Sequence, residues 1–265
     1  MSSKDTIRLA AIGDLHFGRT SVPGSLQPLF AQISESADVL ALCGDLTDYG
    51  LAEEARAFVK ELLPAVKIPV VAVLGNHDFE SNQQAEIVRI LKDVGITTLD
   101  GETTEVHGIG FAGIKGFAGG FGRRALGPWG EDIIKKFVHE AVDEALKLES
   151  ALARLRNDRV VVLLHYAPIQ GTVEGEPRDI YPFLGCSRLE DPITRFPVDA
   201  VFHGHAHHGA AEGRTRTNVP VYNVSASLMR EVFPERPFRL IEIGPKHAAP
   251  EDRRGGERRA PAEIH

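Results

Sequence analysis

Short runs of Val, Ile, Leu and Ala, each followed closely by glycine or a metal-capable side chain, set the rhythm of this chain. Ile7 to Ile12 runs into Gly13-Asp14-Leu15-His16, and Val39 to Leu42 runs through Cys43 into Gly44-Asp45-Leu46-Thr47-Asp48. Ile68 to Leu74 runs into Gly75-Asn76-His77-Asp78, and Val160 to Leu164 into His165-Tyr166-Ala167-Pro168. Asp199 to Phe202 runs into His203-Gly204-His205-Ala206-His207-His208-Gly209. Runs of this length and composition predict strands buried on both faces. Between them, helices are predicted at Leu26 to Ser36, at Leu51 to Leu63 with Pro64 as the stop, and at Ser81 to Val94. Ser81 is read as the N-cap of that last helix, with Gly95 just past its end. Strand and helix alternating in this way read as parallel βαβ units. In such sheets a ligand crevice lies beyond the carboxyl ends of the strands, where Asp14, His16, Asp45 and Asn76 fall.

After Ile96 the pattern changes. Thr103 to His107 and Ile109 to Ile114, split by Gly108, read as a hairpin. Gly116 to Gly130 is glycine-rich and carries Arg123, Arg124 and Trp129. Glu131 to Leu155 has the period of a long amphipathic helix. Tyr181 to Phe196 is mixed, with Arg188 to Arg195 read as helical, and Pro220 to Val224 and Phe238 to Ile243 read as closing strands. From Pro245 the chain is Pro, Gly and mixed charge without an apolar period. Residues 1–244 are therefore read as one domain and 245–265 as a disordered tail. From patterning alone the fold class is α/β.

Composition narrows the function classes. A chain of 265 residues with 43% hydrophobic and 25% charged residues is ordinary for a soluble globular protein. It lacks an apolar run near the ~20 residues that cross a bilayer, so no membrane partner is expected. The start has no signal-peptide pattern, and the 2 cysteines are too few for a disulfide framework, so a cytoplasmic, reducing setting is expected. A formal net charge of −7 argues against long nucleic acid, which needs a basic face, but not against a small phosphorylated substrate. The reading admits a homodimer.

Imidazole is the commonest side-chain metal ligand. One pair such as His205 and His207, spaced by two and thus on one side of an extended backbone, is weak evidence. Matching endings on four other strands make coincidence improbable. The ordered set DxH, GDxxD, GNHD, a lone His and GHxH resembles the calcineurin-like metallophosphoesterase superfamily, over roughly Ile7 to Ile243. GDLTD with Asp48 is similar to the branch of bacterial cyclic-nucleotide phosphodiesterases. Protein Ser/Thr phosphatases of the superfamily carry an arginine after this motif, and here Tyr49-Gly50 follows Asp48.

The resemblance implies two packed mixed β-sheets flanked by helices, a four-layer α/β/β/α sandwich. It implies two divalent or trivalent ions (Mn, Fe or Zn), one held by Asp14, His16, Asp45 and His207, the other by Asp45, Asn76, His165 and His205. Asp45 would bridge them. The neutral amide of Asn76 would bind without adding charge, leaving the site positive toward phosphate. The implied reaction is hydrolysis of a phosphodiester or phosphomonoester, such as a cyclic nucleotide, by a metal-bridging hydroxide. A nucleotide pyrophosphatase, a DNA nuclease and a non-catalytic metal-binding scaffold are the alternatives. His77 would be a general acid, or a donor to transition-state oxygens, and its side chain is expected to point away from Asn76 and the metals; a hydrogen-bonded core histidine is the bland alternative.

Other residues carry less. Asp48 and Asp78 either orient ligand histidines or serve as caps and turn residues. Arg123 and Arg124 either clamp a substrate phosphate or belong to a solvated loop. His203 and His208 are read as packing or surface, Cys43 as a buried small hydrophobe. His107, His139, His247 and His265 match no motif.

Overall fold

The computed structural model describes residues 6–245. The expected tail from residue 246 on, with His247 and His265, lies outside them. In chain order the elements are β1 (Ile7–Ile12), α1 (Gln27–Ser36), β2 (Val39–Cys43), α2 (Ala52–Ala65), β3 (Val70–Val73), α3 (Gln84–Asp93), β4 (Thr97–Thr98), β5 (Thr103–Val106) and β6 (Ile109–Gly113). There follow α4 (Asp132–Arg154), β7 (Arg159–Leu163), α5 (Tyr181–Leu184), α6 (Glu190–Arg195), β8 (Ala200–His203), β9 (Glu212–Arg214), β10 (Pro220–Asn223), α7 (Ala226–Val232) and β11 (Arg239–Ile243).

Two mixed sheets result. The first, in the order β11-β1-β2-β3-β4, is parallel except for β11, which runs back along β1 and pairs Ile7 with Ile243. The second, β5-β6-β7-β8-β10-β9, has a parallel centre and antiparallel edges. The alternation along β2 shows how the layers form. Leu40 and Leu42 face Phe30, Ile33, Phe58 and Ile87 of α1, α2 and α3. Val39, Ala41 and Cys43 face the other way, into a second core with Phe111, Val161, Leu163 and Phe202 of the other sheet. On that sheet's far side Val160, Val162 and Val201 pack against Leu148 and Leu152 of α4 and Ile193 of α6. This is the four-layer α/β/β/α sandwich. Cys43 is wholly buried in it, and burial pushes its thiol pKa well up.

Three local expectations need correction. Pro64 does not stop α2, which includes it and continues to Ala65. Pro64 lies in the last turn, and Lys60, whose carbonyl loses its donor, is exposed, so water can replace the missing N–H. Ser81 caps nothing: its hydroxyl donates to the carbonyl of Tyr49 at 2.6 Å, and α3 begins at Gln84 with Gln83 before it. A 3₁₀ turn, His77–Phe79, takes up the intervening chain. Finally, α7 and the short strands β4 and β9 have no counterpart in the sequence reading, being too short to show a period.

Candidate metal centre

Strands β1, β2 and β3 of one sheet and β7 and β8 of the other end on the same edge of the sandwich. Their polar endings meet there. Asp14, His16 and His207 form one group, and Asp45, His165 and His205 another, in which one ligand atom of each residue lies within 4.8 Å of the others. Asp45 and His16 also form such a group with His77. Asn76 joins the second lobe through its Oδ1, 2.9 Å from His165 Nε2. All seven expected ligand positions thus converge.

The backbone is bent to achieve this. Asp14 (φ 54), His16 (φ 44), Asp45 (φ 49) and His205 (φ 69) are all left-handed, a conformation costly for side-chain-bearing residues. A strand continued past Ile12 would send Asp14 and His16 to one face of a pleat; the left-handed turns instead fold both side chains over the strand end. Two glycines admit the carboxylates. A Cβ at Gly75 would lie 2.1 Å from Asp45 Oδ1, and one at Gly204 2.2 Å from Asp14 Oδ2. The same bending corrects two expectations. His205 and His207 do not share a face through strand alternation: β8 has ended at His203, and the turn sends His205 to one lobe and His207 to the other. His77 does not point away from the centre. Asn76 is in the right-handed helical region (φ −67, ψ −34), so strand alternation does not apply, and the His77 ring stands edge-on to His16 at 4.5 Å.

The carboxylates are held from behind. Asp14 accepts the backbone N–H of His205 at 2.9 and 3.0 Å, and Asp45 Oδ1 accepts that of His77 at 2.8 Å. Asp45 Oδ2 is left facing His165 Nε2 at 3.3 Å and His16 Nε2 at 3.8 Å. Burial raises the Asp45 pKa, but the charge and hydrogen bond of His165, with His77 and His16, carry it below the ordinary carboxylate value. Conversely burial pulls His165 down, and Asp45 more than restores it, to about 9. For His205 burial wins, with His165 adding to it, and the pKa falls to about 4. Burial likewise lowers His16, while a hydrogen bond to Asp14 at 3.1 Å raises His207. A metal ion held by His165 would need the ligating nitrogen free of its proton, so metal binding there and proton release go together.

The residues fit such a cation. Nε2 of His16 is a buried polar atom with no hydrogen-bond partner, aimed at Asp45. Buried polar atoms are rarely left so, and a missing ion is one physical reason for it. Imidazole, carboxylate and carboxamide donors without thiolate suit Mn, Fe or Zn.

The weaker candidates now have places. Asp78 is fully buried and accepts from the backbone N–H groups of Leu46, Thr47 and Gly75 and from the Thr47 hydroxyl, at 2.6 to 3.3 Å. It clamps the loop after β2 to the loop after β3 and orients no histidine directly. Burial, then Asp45, raises its pKa. Asp48 lies 3.8 Å from His16 Nδ1, while its backbone carbonyl meets His77 Nδ1 at 2.6 Å. His203 is buried against the Gly204 carbonyl and the Thr172 hydroxyl, at 2.7 and 2.8 Å; His208 is exposed and donates its backbone N–H to Glu176. Arg123 and Arg124 are exposed on a 3₁₀ turn and, among the described residues, reach none of the ligands by an ion pair. His107 and Gly108 are the two left-handed residues of the β5–β6 turn, and His139 is exposed on α4. Two positioning residues escaped the sequence reading. Glu54 accepts the N–H groups of Tyr49 and Leu51 at 2.8 and 3.4 Å, fixing the chain just after Asp48. The Phe183 carbonyl meets His205 Nε2 at 3.2 Å. The first carried a signal, a Glu at the third position of α2; the second, being backbone, carried none.

Among the described residues no helix is long and apolar enough to cross a membrane. No curated protein sequence matches the chain significantly. Several solved structures resemble it. Phosphopantetheinyl hydrolase from Mycobacterium tuberculosis superposes with a TM-score of 0.63 at 17% identity, over 91% of this chain and 98% of that one. A putative 5′-nucleotidase from Staphylococcus aureus gives 0.53 at 17%, over 82% and 48%. GAP50, the anchor in the inner membrane complex of Plasmodium, gives 0.51 at 15%, over 84% and 73%. At these identities the likeness is one of fold. The family is decided by sequence: the model of the calcineurin-like phosphoesterases matches residues 7–209, which contain every ligand position described above, and the chain belongs to that family.

Proposed function

We propose that the protein is a binuclear metal-dependent phosphoesterase acting on small phosphodiesters, cyclic nucleotides among them. One observation carries the reading: two ligand groups, Asp14/His16/His207 and Asp45/His165/His205, abut with the Asp45 carboxylate turned toward histidines of both. When bound, metal ions supply Lewis acidity toward phosphoryl oxygens and a lowered pKa for water. The chain supplies the rest. Asp45 can serve both lobes because its other oxygen is already tied to the His77 N–H. Asn76 adds a donor without adding charge. His77 hydrogen-bonds the Asp48 carbonyl through Nδ1, which fixes the ring and makes Nε2 the atom that exchanges a proton with the leaving oxygen. Phosphoproteins are disfavoured because Tyr49-Gly50 follow Asp48 where an arginine would be needed, and nucleases because the net charge is −7. Retention of every ligand position weighs against an interaction scaffold.

The test uses Mn²⁺-loaded protein on a small cyclic diester, bis-p-nitrophenyl phosphate and a phosphoserine peptide, for wild type and His77→Ala. Both diesters should turn over. The variant should lose roughly 10²–10⁴-fold on the alkyl ester, the usual worth of general-acid help, and much less on the nitrophenyl ester, whose leaving group needs no proton. Faster turnover of the peptide than of either diester refutes the substrate class. Two bound metals with no turnover at all leaves the scaffold. Loss of metal in His77→Ala makes that residue a ligand instead.

A further inference from the structure

The residues that end β10 and open α7, Asn223-Val224-Ser225-Ala226-Ser227, include none of the expected ligands and lie past residue 209, where the family match ends. They nevertheless touch ligand loops of both sheets. Backbone bonds set the frame. The Val224 carbonyl accepts the Gly13 N–H at 2.9 Å, the Ala226 N–H donates to the Gly13 carbonyl at 3.0 Å, and the Val224 N–H donates to the His203 carbonyl at 2.7 Å. Gly13 precedes Asp14, and His203 precedes the His205-Ala206-His207 turn. One segment thus ties the ligand-bearing end of β1 in the first sheet to that of β8 in the second.

Side chains then reach into the turn itself. Asn223 is wholly buried. Its Nδ2 donates to the Ala206 carbonyl at 2.7 Å and lies 3.4 Å from that of Thr172, while its Oδ1 accepts the Ser225 N–H at 3.2 Å. These backbone partners have fixed polarity, so they settle which way the amide faces, and a carboxamide meets both kinds with a donor on one atom and an acceptor on the other. Ala206 stands between the two candidate ligand histidines, and its carbonyl is shared with the Gly209 N–H at 3.2 Å. A Cβ on Gly209 would come within 3.0 Å of Asn223 Nδ2. Ser227 takes the next carbonyl, donating its hydroxyl to that of His207 at 3.1 Å. With its one proton spent there, it accepts from the buried Ser225 hydroxyl, 3.1 Å away. Successive carbonyls of the turn are therefore each held by a side chain of one short segment. The turn needs holding: His205 has a φ of 69, and such a conformation persists where the surroundings over-determine it.

We propose that Asn223 and Ser227 are positioning residues of the metal centre, which by fixing the Ala206 and His207 carbonyls keep the imidazoles of His205 and His207 where ions would bind them. Asn223, acting between the two histidines, serves both lobes. Ser227, acting on His207, serves the lobe of Asp14, His16 and His207 alone. The proposal rests on the binuclear reading of the site, and its test reads metal affinity apart from turnover.

The full chain, freed of metal by chelation, is titrated with Mn²⁺ in a calorimeter as wild type, Ser227→Ala, Ser227→Thr and Asn223→Leu. Chemical denaturation of the same chelated preparations gives their stabilities. Groups that orient ligands from outside the coordination sphere are typically worth 10–100-fold in metal affinity, so Asn223→Leu should weaken both ions by about tenfold. Ser227→Ala should weaken one ion by about three- to tenfold and leave the other. It should cost little stability, because the residue is exposed. Ser227→Thr keeps the hydroxyl and should bind both ions as wild type does. A purely structural role would lower the stability of the chelated protein and leave these affinities where they were. Unchanged affinities in Ser227→Ala, or a Thr variant as impaired as the Ala variant, overturn the proposal, and this pair decides alone where Asn223→Leu does not fold. The expected shifts in a protein that binds two ions and turns over no ester sustain the positioning role and refute the phosphoesterase. A wild type that binds no Mn²⁺ overturns both.

Discussion

The two lobes of the centre use the same residue types and differ in how firmly they are held. In the lobe of Asp45, His165 and His205, the His165 side chain is 0% exposed and both ring nitrogens are engaged, Nδ1 by the Cys43 carbonyl at 3.0 Å and Nε2 by Asn76 and Asp45. In the lobe of Asp14, His16 and His207, the histidine side chains are 22% and 39% exposed, and His16 Nε2 has no partner. One lobe is a piece of the core that happens to end in ligands. The other is a rim that becomes complete when something is bound. A buried, pre-formed set of donors loses little entropy on binding and admits little solvent; an open set leaves room for the reacting phosphate. On the binuclear reading, the ion on the buried side would be the more tightly kept and the substrate would arrive over the exposed one.

The largest expected effect comes from removing what the lobes share. Asp45→Asn keeps the shape and withdraws the charge that faces both His16 and His165. Bound metal after Mn²⁺ loading should fall from two ions per chain to one or none. Diesterase activity should fall by about 10²–10³-fold or more, the scale of losing one preorganised electrostatic group. Metal analysis and kcat on one preparation check this. A stoichiometry of one in wild type, unchanged by the substitution, would sink the binuclear reading and the comparison with it.

A smaller effect should set the lobes apart. His165→Ala opens a cavity in the core and leaves the Cys43 carbonyl and the Asn76 amide oxygen without their partner, so the metal-free protein should lose roughly 2–4 kcal/mol of stability. His207→Ala removes a part-exposed ring and its 3.1 Å contact with the buried Asp14, which keeps the His205 N–H, so its cost should be smaller, about 1 kcal/mol. Both variants should lose metal. Chemical denaturation of the two chelated variants beside wild type gives the answer; equal losses of stability would mean that the contrast in burial has no energetic weight.

How much of this was legible in the sequence depends on range. The strands were, because a buried strand needs an apolar run, and the convergence of the candidate ligands was, because each run ended in a side chain with no business in a core. The direction of those side chains was not. His77 follows a strand, but Asn76 has already turned helical, and the left-handed φ of Asp14, His16, Asp45 and His205 is imposed by tertiary contacts that no local pattern records. Asp78 was visible as a residue, and its clamp on Leu46, Thr47 and Gly75 became visible only once two loops thirty residues apart stood side by side. Backbone partners such as the Phe183 carbonyl leave no mark in a sequence at all.

Asp48 provides the finest division between the lobes, and the smallest expected effect. Its carboxylate faces His16 Nδ1 in the open lobe at 3.8 Å, beyond hydrogen-bond length, and its side chain is 30% exposed. Its backbone carbonyl, by contrast, is what holds His77. Asp48→Asn removes the first interaction and leaves the second. Carboxylates that orient a ligating histidine are typically worth 10–100-fold in metal affinity, and a long, partly solvated contact should fall at or below the bottom of that range, about tenfold or less. The loss should be confined to one ion, the one in the open lobe. Because the His77 ring stays anchored, the ratio of alkyl-ester to nitrophenyl-ester turnover should not move at saturating Mn²⁺. Mn²⁺ titration followed by those two assays separates the roles of side chain and backbone at one residue. A shift in the ester ratio would mean that the Asp48 carboxylate, and not its carbonyl, positions His77, and loss of the tighter ion would mean that the two lobes are coupled through His16 and Asp45 rather than held independently.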